Sequence, residues 1–225
     1  MLKYYRALVI VLALMCVMSR PGIAAKYNDE MIAAQQDITQ GRKTKGEAAI
    51  RRIIEKCTND INTDPKDTTA YAARGYSYML LSEYNRALED YGKVITLDPT
   101  TAMWYRNRAE IYTKIGDYSK ALKDINTAID YYNGDPRAYV LRGEINAKLG
   151  YRSKAGEDYS KAAELEPGNA NASFHAQRSF MFAQKGEYRK AWADLREAES
   201  RGYQFPTDYR DHVEGKKNLE SMGQK

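Results

Sequence analysis

The chain has 225 residues, 43% of them hydrophobic and 29% charged, with a formal net charge of +5. Three cations, Lys3, Arg6 and Arg20, lie in residues 1–25, which hold no acid, so the remainder is close to neutral, at about +2. The basicity therefore belongs to the leader and makes no case for nucleic acid, and the rest suits one elongated domain of about 200 residues.

Met1 to Arg6 is basic, Ala7 to Met18 is an unbroken apolar run, and Ser19-Arg20-Pro21-Gly22 breaks it. Gly22-Ile23-Ala24-Ala25 then offers small residues for cleavage. This is the three-part order of a secretory signal peptide, predicted over residues 1–25. The apolar run is shorter than the roughly 20 residues of a spanning helix. Met15 precedes Cys16, where a lipoprotein signal needs a small residue. The expected product is secreted, into a bacterial periplasm, and an uncleaved membrane anchor is the alternative. Cleavage leaves Cys57 as the only cysteine, which excludes an intrachain disulfide.

Residues 26–67 read as a degenerate leading helical hairpin. Met31, Ala34 and Ile38 mark a first helix over Asn28 to Gln40. Gly41 to Gly46 reads as an enlarged loop. Ala49, Ile50, Ile53, Ile54, Cys57 and Ile61 mark a second helix, closed by Asn62-Thr63-Asp64-Pro65.

Four similar copies follow, at 68–101, 102–135, 136–169 and 172–205. Small residues recur at Gly75, Ala109, Gly143 and Ser179, and again at Ala87, Ala121, Ala155 and Ala191. Each copy holds two apolar-periodic segments around a turn such as Ser82-Glu83-Tyr84, Gly116-Asp117-Tyr118 or Gly186-Glu187-Tyr188. Each is thus a helix–turn–helix pair, and the small residues mark where the two axes approach. One pair cannot bury its own apolar face, so copies must stack. Cys57 takes the position of Tyr91, Ile125, Tyr159 and Leu195, which predicts a buried small hydrophobe. Arg74, Arg108, Arg142 and Arg178 recur on the first helices, and Asp90, Asp124, Asp158 and Asp194 on the second. Such matching predicts ion pairs that set register.

The spacing of Tyr71, Gly75, Tyr78, Ala87, Tyr91, Val94 and Pro99 resembles the tetratricopeptide repeat. The third copy keeps Gly143, Ala155, Tyr159, Ala162 and Pro167 but has Asn146 for Tyr, the second has Asn133 for the final Pro, and the fourth departs furthest. The resemblance implies an all-α fold, a right-handed superhelical solenoid whose concave groove binds proteins or peptides and is lined by the first helices. Carried over by position, the lining is Ala72, Tyr76 and Met79, then Met103, Arg106 and Glu110, then Arg137, Val140 and Glu144, and last Ala176 and Phe180. The repeat itself is not expected to need Tyr76, Met79, Arg106, Glu110, Glu144 or Phe180 for packing. The family's chaperone-binding members clamp a C-terminal carboxylate with Lys, Asn, Lys and Arg. Here Ala72 and Tyr76 replace the first two and only Asn107 and Arg137 match, so that clamp is not expected.

Residues 206–225 read as a capping helix and tail. Thr207-Asp208 starts the helix and Tyr209 and Val213 face one way, as a stacked array needs at its end. Gly215 weakens the helix.

No metalloprotease, paired-cysteine, phosphate-loop or nucleophile-elbow signature is present, and no catalytic residue, metal site or cofactor is expected. His175 takes an aromatic packing position and His212 lies in the cap, facing solvent. The predicted function is a secreted adaptor that holds a protein or peptide segment. The alternatives are a membrane-tethered envelope assembly factor and a helical subunit of a secreted wall-acting enzyme.

Overall fold

The computed structural model describes residues 25–165 and 172–222. The expected signal segment lies outside them except for Ala25. The described residues are helical, without strands, and fall into two compact units divided after Gly116. None of their helices is long and apolar enough to cross a membrane.

The first unit holds α1 (Ala25–Thr39), α2 (Lys43–Thr63), α3 (Thr68–Leu80), α4 (Tyr84–Leu97) and α5 (Ala102–Lys114), each packed on the next. Local chemistry sets their ends. The Asp67 carboxylate accepts the Ala70 amide and starts α3. At the other end Ser82 turns left-handed, and the Ser82 and Glu83 amides close on the Met79 and Tyr78 carbonyls. That pattern satisfies the carbonyls that a helix end leaves over.

The expected loop at Gly41 to Gly46 is shorter than the sequence suggested. Only Gln40, Gly41 and Arg42 separate α1 from α2, and Gly46 is a buried residue inside α2. A Cβ there would stand 2.5 Å from Ile38 Cγ1 and 2.6 Å from the Ala34 carbonyl. Gly46 is thus the crossing point of the two axes, not a loop residue.

Two apolar clusters fill this unit. Tyr27, Met31, Ile53, Cys57, Ile61, Ala70 and Ala73 form one, and Ala72, Ala87, Tyr91, Val94, Trp104 and Ile111 the other. Complete burial of a large apolar side chain stabilises by roughly 1.5–3 kcal/mol. Cys57 is free and fully buried, and burial pushes its thiol up to about 12.

The second unit holds α6 (Tyr118–Tyr131), α7 (Pro136–Lys148), α8 (Arg152–Leu165), α9 (Ala172–Gln184), α10 (Tyr188–Ser200) and α11 (Thr207–Ser221), again packed in succession. Asp117 and Asp135 cap α6 and α7 by accepting the Lys120 and Arg137 amides, and Pro136 opens α7. Gly143 on α7 meets the Tyr159 ring so closely that a Cβ would lie 2.7 Å from Cε1. Val213 of α11 is fully buried against Ala191 and Leu195. Glu220 reaches back to accept the Tyr188 and Arg189 amides at 3.3 Å each, capping α10 from the neighbouring helix. Helix α11 runs straight through Gly215, which did not break it.

The arginine–aspartate ladder forms within each unit. Arg74 donates to both Asp90 oxygens at 2.7 and 2.9 Å, and Arg142 to Asp158 at 2.6 and 2.9 Å. Arg178 grips Asp194 in the same way. Arg74 also reaches Thr58 Oγ1, and Arg142 reaches Asn126 Oδ1, both at 3.1 Å. Each of these two guanidinium groups therefore ties its own hairpin to the second helix of the preceding one.

Candidate functional site

Each first helix buries its small-residue face and leaves another row toward solvent. In the first unit that row is Met79 on α3 and Met103 and Glu110 on α5, all half-buried. The methionine stems pack on the apolar cluster beneath.

Three expected lining residues have packing duties that the sequence did not indicate. Tyr76 leans on the α1–α3 cluster, and burial, then the nearby Glu110 charge, push its hydroxyl up to about 12, against a smaller opposing effect of Gln35. Arg106 is buried, at 9% exposure, and is engaged with partners. Phe180 on α9 lies in ring contact with Tyr209 at 4.2 Å and Phe205 at 5.5 Å. The reason is common to the aromatic pair: each is met by a terminal element, Tyr76 by α1 and Phe180 by the segment entering α11.

Beneath the face lies a polar layer. Asn107 Nδ2 donates to the Tyr91 hydroxyl at 3.3 Å, and both residues are buried. Asn107 is thus committed inward. Burial drives the Tyr91 hydroxyl well above the ordinary range, with Tyr76 and Glu110 adding to it. Tyr76, Tyr91, Asn107 and Glu110 therefore share one electrostatic neighbourhood, built from α3, α4 and α5, with Gln35 of α1 at its edge. Gln35 went unnoticed in the sequence because it stands on the degenerate hairpin, where no repeat position points to it.

In the second unit Arg137, Val140 and Glu144 on α7 are half-buried and Ala176 on α9 is buried. Arg137 bonds Asp135 at 3.3 Å through Nε. Burial first, and then the Glu144 carboxylate, raise the Tyr159 hydroxyl. Asn146, which replaces the repeat's tyrosine, donates to Asp158 Oδ2 at 2.9 Å and so joins the ion pair. His175 is buried as expected, but its Nδ1 stands 3.0 Å from Asp194 Oδ1, so its role there is polar as well as steric. Burial raises the Asp194 carboxyl, but hydrogen bonds from His175 and Arg178 with the Arg178 charge outweigh it and hold the group below its ordinary value. His212 is exposed and meets the Tyr188 ring edge-on.

Residues 69–101, 105–134 and 136–169 match the sequence profile of the tetratricopeptide repeat. These three stretches are tetratricopeptide repeats. No curated protein sequence matches the chain. Among solved structures, pilF of Pseudomonas aeruginosa superposes with a TM-score of 0.64 at 16% identity, covering 89% of this chain and 93% of its own. The tetratricopeptide-repeat protein TTC0263 of Thermus thermophilus gives 0.59 at 19% identity, over 85% and 98%. The first tetratricopeptide domain of Spaghetti (RPAP3), bound to the HSP90 peptide SRMEEVD, gives 0.50 at 24% identity, over 52% and 94%. At such identities the likeness is one of fold.

Proposed function

We propose that this chain is an exported tetratricopeptide adaptor that holds a protein or peptide segment against the exposed row of its first helices. The observation that carries this reading is the row itself. Met79, Met103 and Glu110 in the first unit, and Val140 and Glu144 in the second, are left half-buried on helices whose small-residue faces are buried. A mixed row of methionine and carboxylate gives a partner both adaptable apolar contact and fixed polar points. The peptide seated on the RPAP3 domain supports a segment as the occupant. Export rests on the order of charge, apolar run and small residues in Met1 to Ala25.

Tyr76, Arg106 and Phe180 are poor probes of this reading, since altering them disturbs packing. Met79→Ala and Met103→Ala are better. With a partner captured from the organism's own envelope fraction, each is expected to weaken capture about fivefold or more without lowering the melting temperature. Lys161→Glu, on a second helix, is the control and should change little. Binding lost in the control and kept in the methionine variants would move the partner to the second-helix face. Mass spectrometry of the exported protein tests maturation near Ala24 or Ala25, and intact Met1 in the membrane pellet would mark a tethered form.

A further inference from the structure

We propose that Asn133 is a site of spontaneous deamidation, in which the Gly134 backbone nitrogen attacks the Asn133 side chain and the product loosens the start of α7. Asparagine followed by glycine offers this reaction the least steric resistance, because glycine leaves its own nitrogen uncrowded. Whether it proceeds in a folded chain depends on the backbone around it. A helix fixes the torsions and, past its first turn, engages the following amide in a hydrogen bond, so the nitrogen cannot turn toward the side chain. Every other asparagine among the described residues lies inside a helix. Asn133 alone stands in a connection, between the end of α6 at Tyr131 and the start of α7 at Pro136. It is exposed, and among the described residues the Gly134 amide donates no hydrogen bond. Neither residue has a left-handed φ, so the backbone turn does not demand the glycine. Tyr132 accounts for it instead, since a Cβ on Gly134 would stand 2.8 Å from both Cζ and the hydroxyl of that ring.

The corresponding place in the α2–α3 and α4–α5 connections is held by Pro65 and Pro99, which have no side-chain carbonyl to attack. In the α6–α7 connection, solvent hydroxide takes the Gly134 amide proton and the nitrogen adds to Asn133 Cγ. The new N–Cγ bond closes a succinimide ring. The Cγ–Nδ2 bond breaks, and Nδ2 leaves as ammonia with a proton from water. A second water then opens the ring. Breaking the N–Cγ bond gives aspartate. Breaking the bond from that nitrogen to the Asn133 main-chain carbonyl carbon gives isoaspartate, which carries the chain through its side chain. Both products place a negative charge just ahead of α7, which a helix N-terminus favours. Isoaspartate also lengthens the main chain by one methylene, two residues before Asp135. The Asp135 carboxylate accepts the Arg137 amide at 3.1 Å and Arg137 Nε at 3.3 Å. The cap therefore depends on where the connection delivers Asp135. The isoaspartyl form loses that cap and the aspartyl form keeps it.

The experiment incubates the folded full-length protein at mildly alkaline pH, beside the same protein in urea, and follows conversion of amide to acid by peptide mass mapping. Asn133 is expected to convert within about threefold of its rate in urea, and the helical asparagines of the native chain at least about tenfold more slowly than Asn133. Hydroxylamine, which cuts a succinimide, should split the native chain between Asn133 and Gly134. Gly134→Ala should slow conversion about tenfold or more, because its Cβ crowds the attacking nitrogen. That Cβ meets the far end of the Tyr132 ring, which is 59% exposed and free to swing aside. Chromatography separates the two products. The isoaspartyl form should melt below the unconverted protein, whereas Asn133→Asp, identical to the aspartyl product, should not. Asn133 that stays intact in the native protein while converting in urea overturns the site, and so does an unchanged rate in Gly134→Ala. An isoaspartyl form that melts with the unconverted protein overturns the loss of the cap.

Discussion

Glu110 and Phe180 occupy the same position of the repeat, on α5 and α9, yet their surroundings are opposite. Glu110 is half-buried and without a hydrogen-bond or ion-pair partner among the described residues, while Phe180 is held among Phe205 and Tyr209. Tyr76 and Glu144 complete the set, so this position is aromatic in the outer copies and carboxylate in the inner ones. A repeat position therefore fixes where a side chain points along its helix. What it does is decided by whichever element comes next.

The sharpest way to break this comparison is to truncate both residues. Phe180→Ala is expected to destabilise by about 3 kcal/mol, because it empties a ring cluster. Glu110→Ala, at a surface position, should stay within about 0.5 kcal/mol. Urea unfolding of the two variants checks it. Equal small effects would mean that the terminal segment does not hold Phe180.

A second contrast lies between Gly143 and Gly75, the same position in the two units. At Gly143 a Cβ would meet Tyr159 at 2.7 Å, whereas at Gly75 the nearest atoms, Asp90 Cβ and Tyr91 Cε2, are 3.2 Å away. Alanine gains about 1 kcal/mol of helix propensity at either site. Overpacking costs about 1–3 kcal/mol where the ring must move. Gly143→Ala is thus expected to lose about 1 kcal/mol net and Gly75→Ala to be near neutral, as denaturant midpoints will report.

The buried pairs differ too. Among the described residues Asp90 pairs with Arg74 alone, whereas Asp194 pairs with both Arg178 and His175. Its folded pKa is depressed below the ordinary 3.8. The stability this contributes is fully present above that ordinary value and is lost as pH falls from there through the folded pKa. Unfolding midpoints taken from pH 6 downward should therefore drop below about pH 4. In Asp194→Asn the protein should be less stable at pH 6, with a flatter fall in acid. An unchanged slope would show that Asp194 is not held as described.

The hairpins, their small crossing residues and the Arg–Asp pairs could be read before any coordinates, because each recurs with the period of the repeat. What stayed hidden lies between non-equivalent elements. Gly46 looked like loop because glycine and cations surround it, yet its neighbour Ile38 makes it a crossing point. Thr58 and Asn126 differ in type, so no pattern marked them as second anchors for Arg74 and Arg142. Gln35, and the rings that cover Phe180, come from the two ends, where the period fails. The candidate row was legible as positions, and the division of that row into packed and exposed members was not.

The smallest effect concerns the turn that closes each first helix. Gly150 and Gly186 adopt φ of 82° and 76°, and Ser82 does the same work at 61°. An L side chain in the left-handed region costs roughly 1–2 kcal/mol. Replacing it with glycine removes that cost but gives the unfolded chain more freedom, worth roughly 0.5–1 kcal/mol. Among the described residues the Ser82 hydroxyl has one long contact, accepting from the Tyr84 hydroxyl at 3.4 Å, which is exposed and contributes little. Ser82→Gly is therefore expected to stabilise by about 0.5–1 kcal/mol. Gly150→Ser, the reverse change at the equivalent turn, should destabilise by a similar amount. Paired thermal melts of the two variants measure both signs. If Ser82→Gly destabilises, the serine side chain must hold its turn by more than backbone geometry.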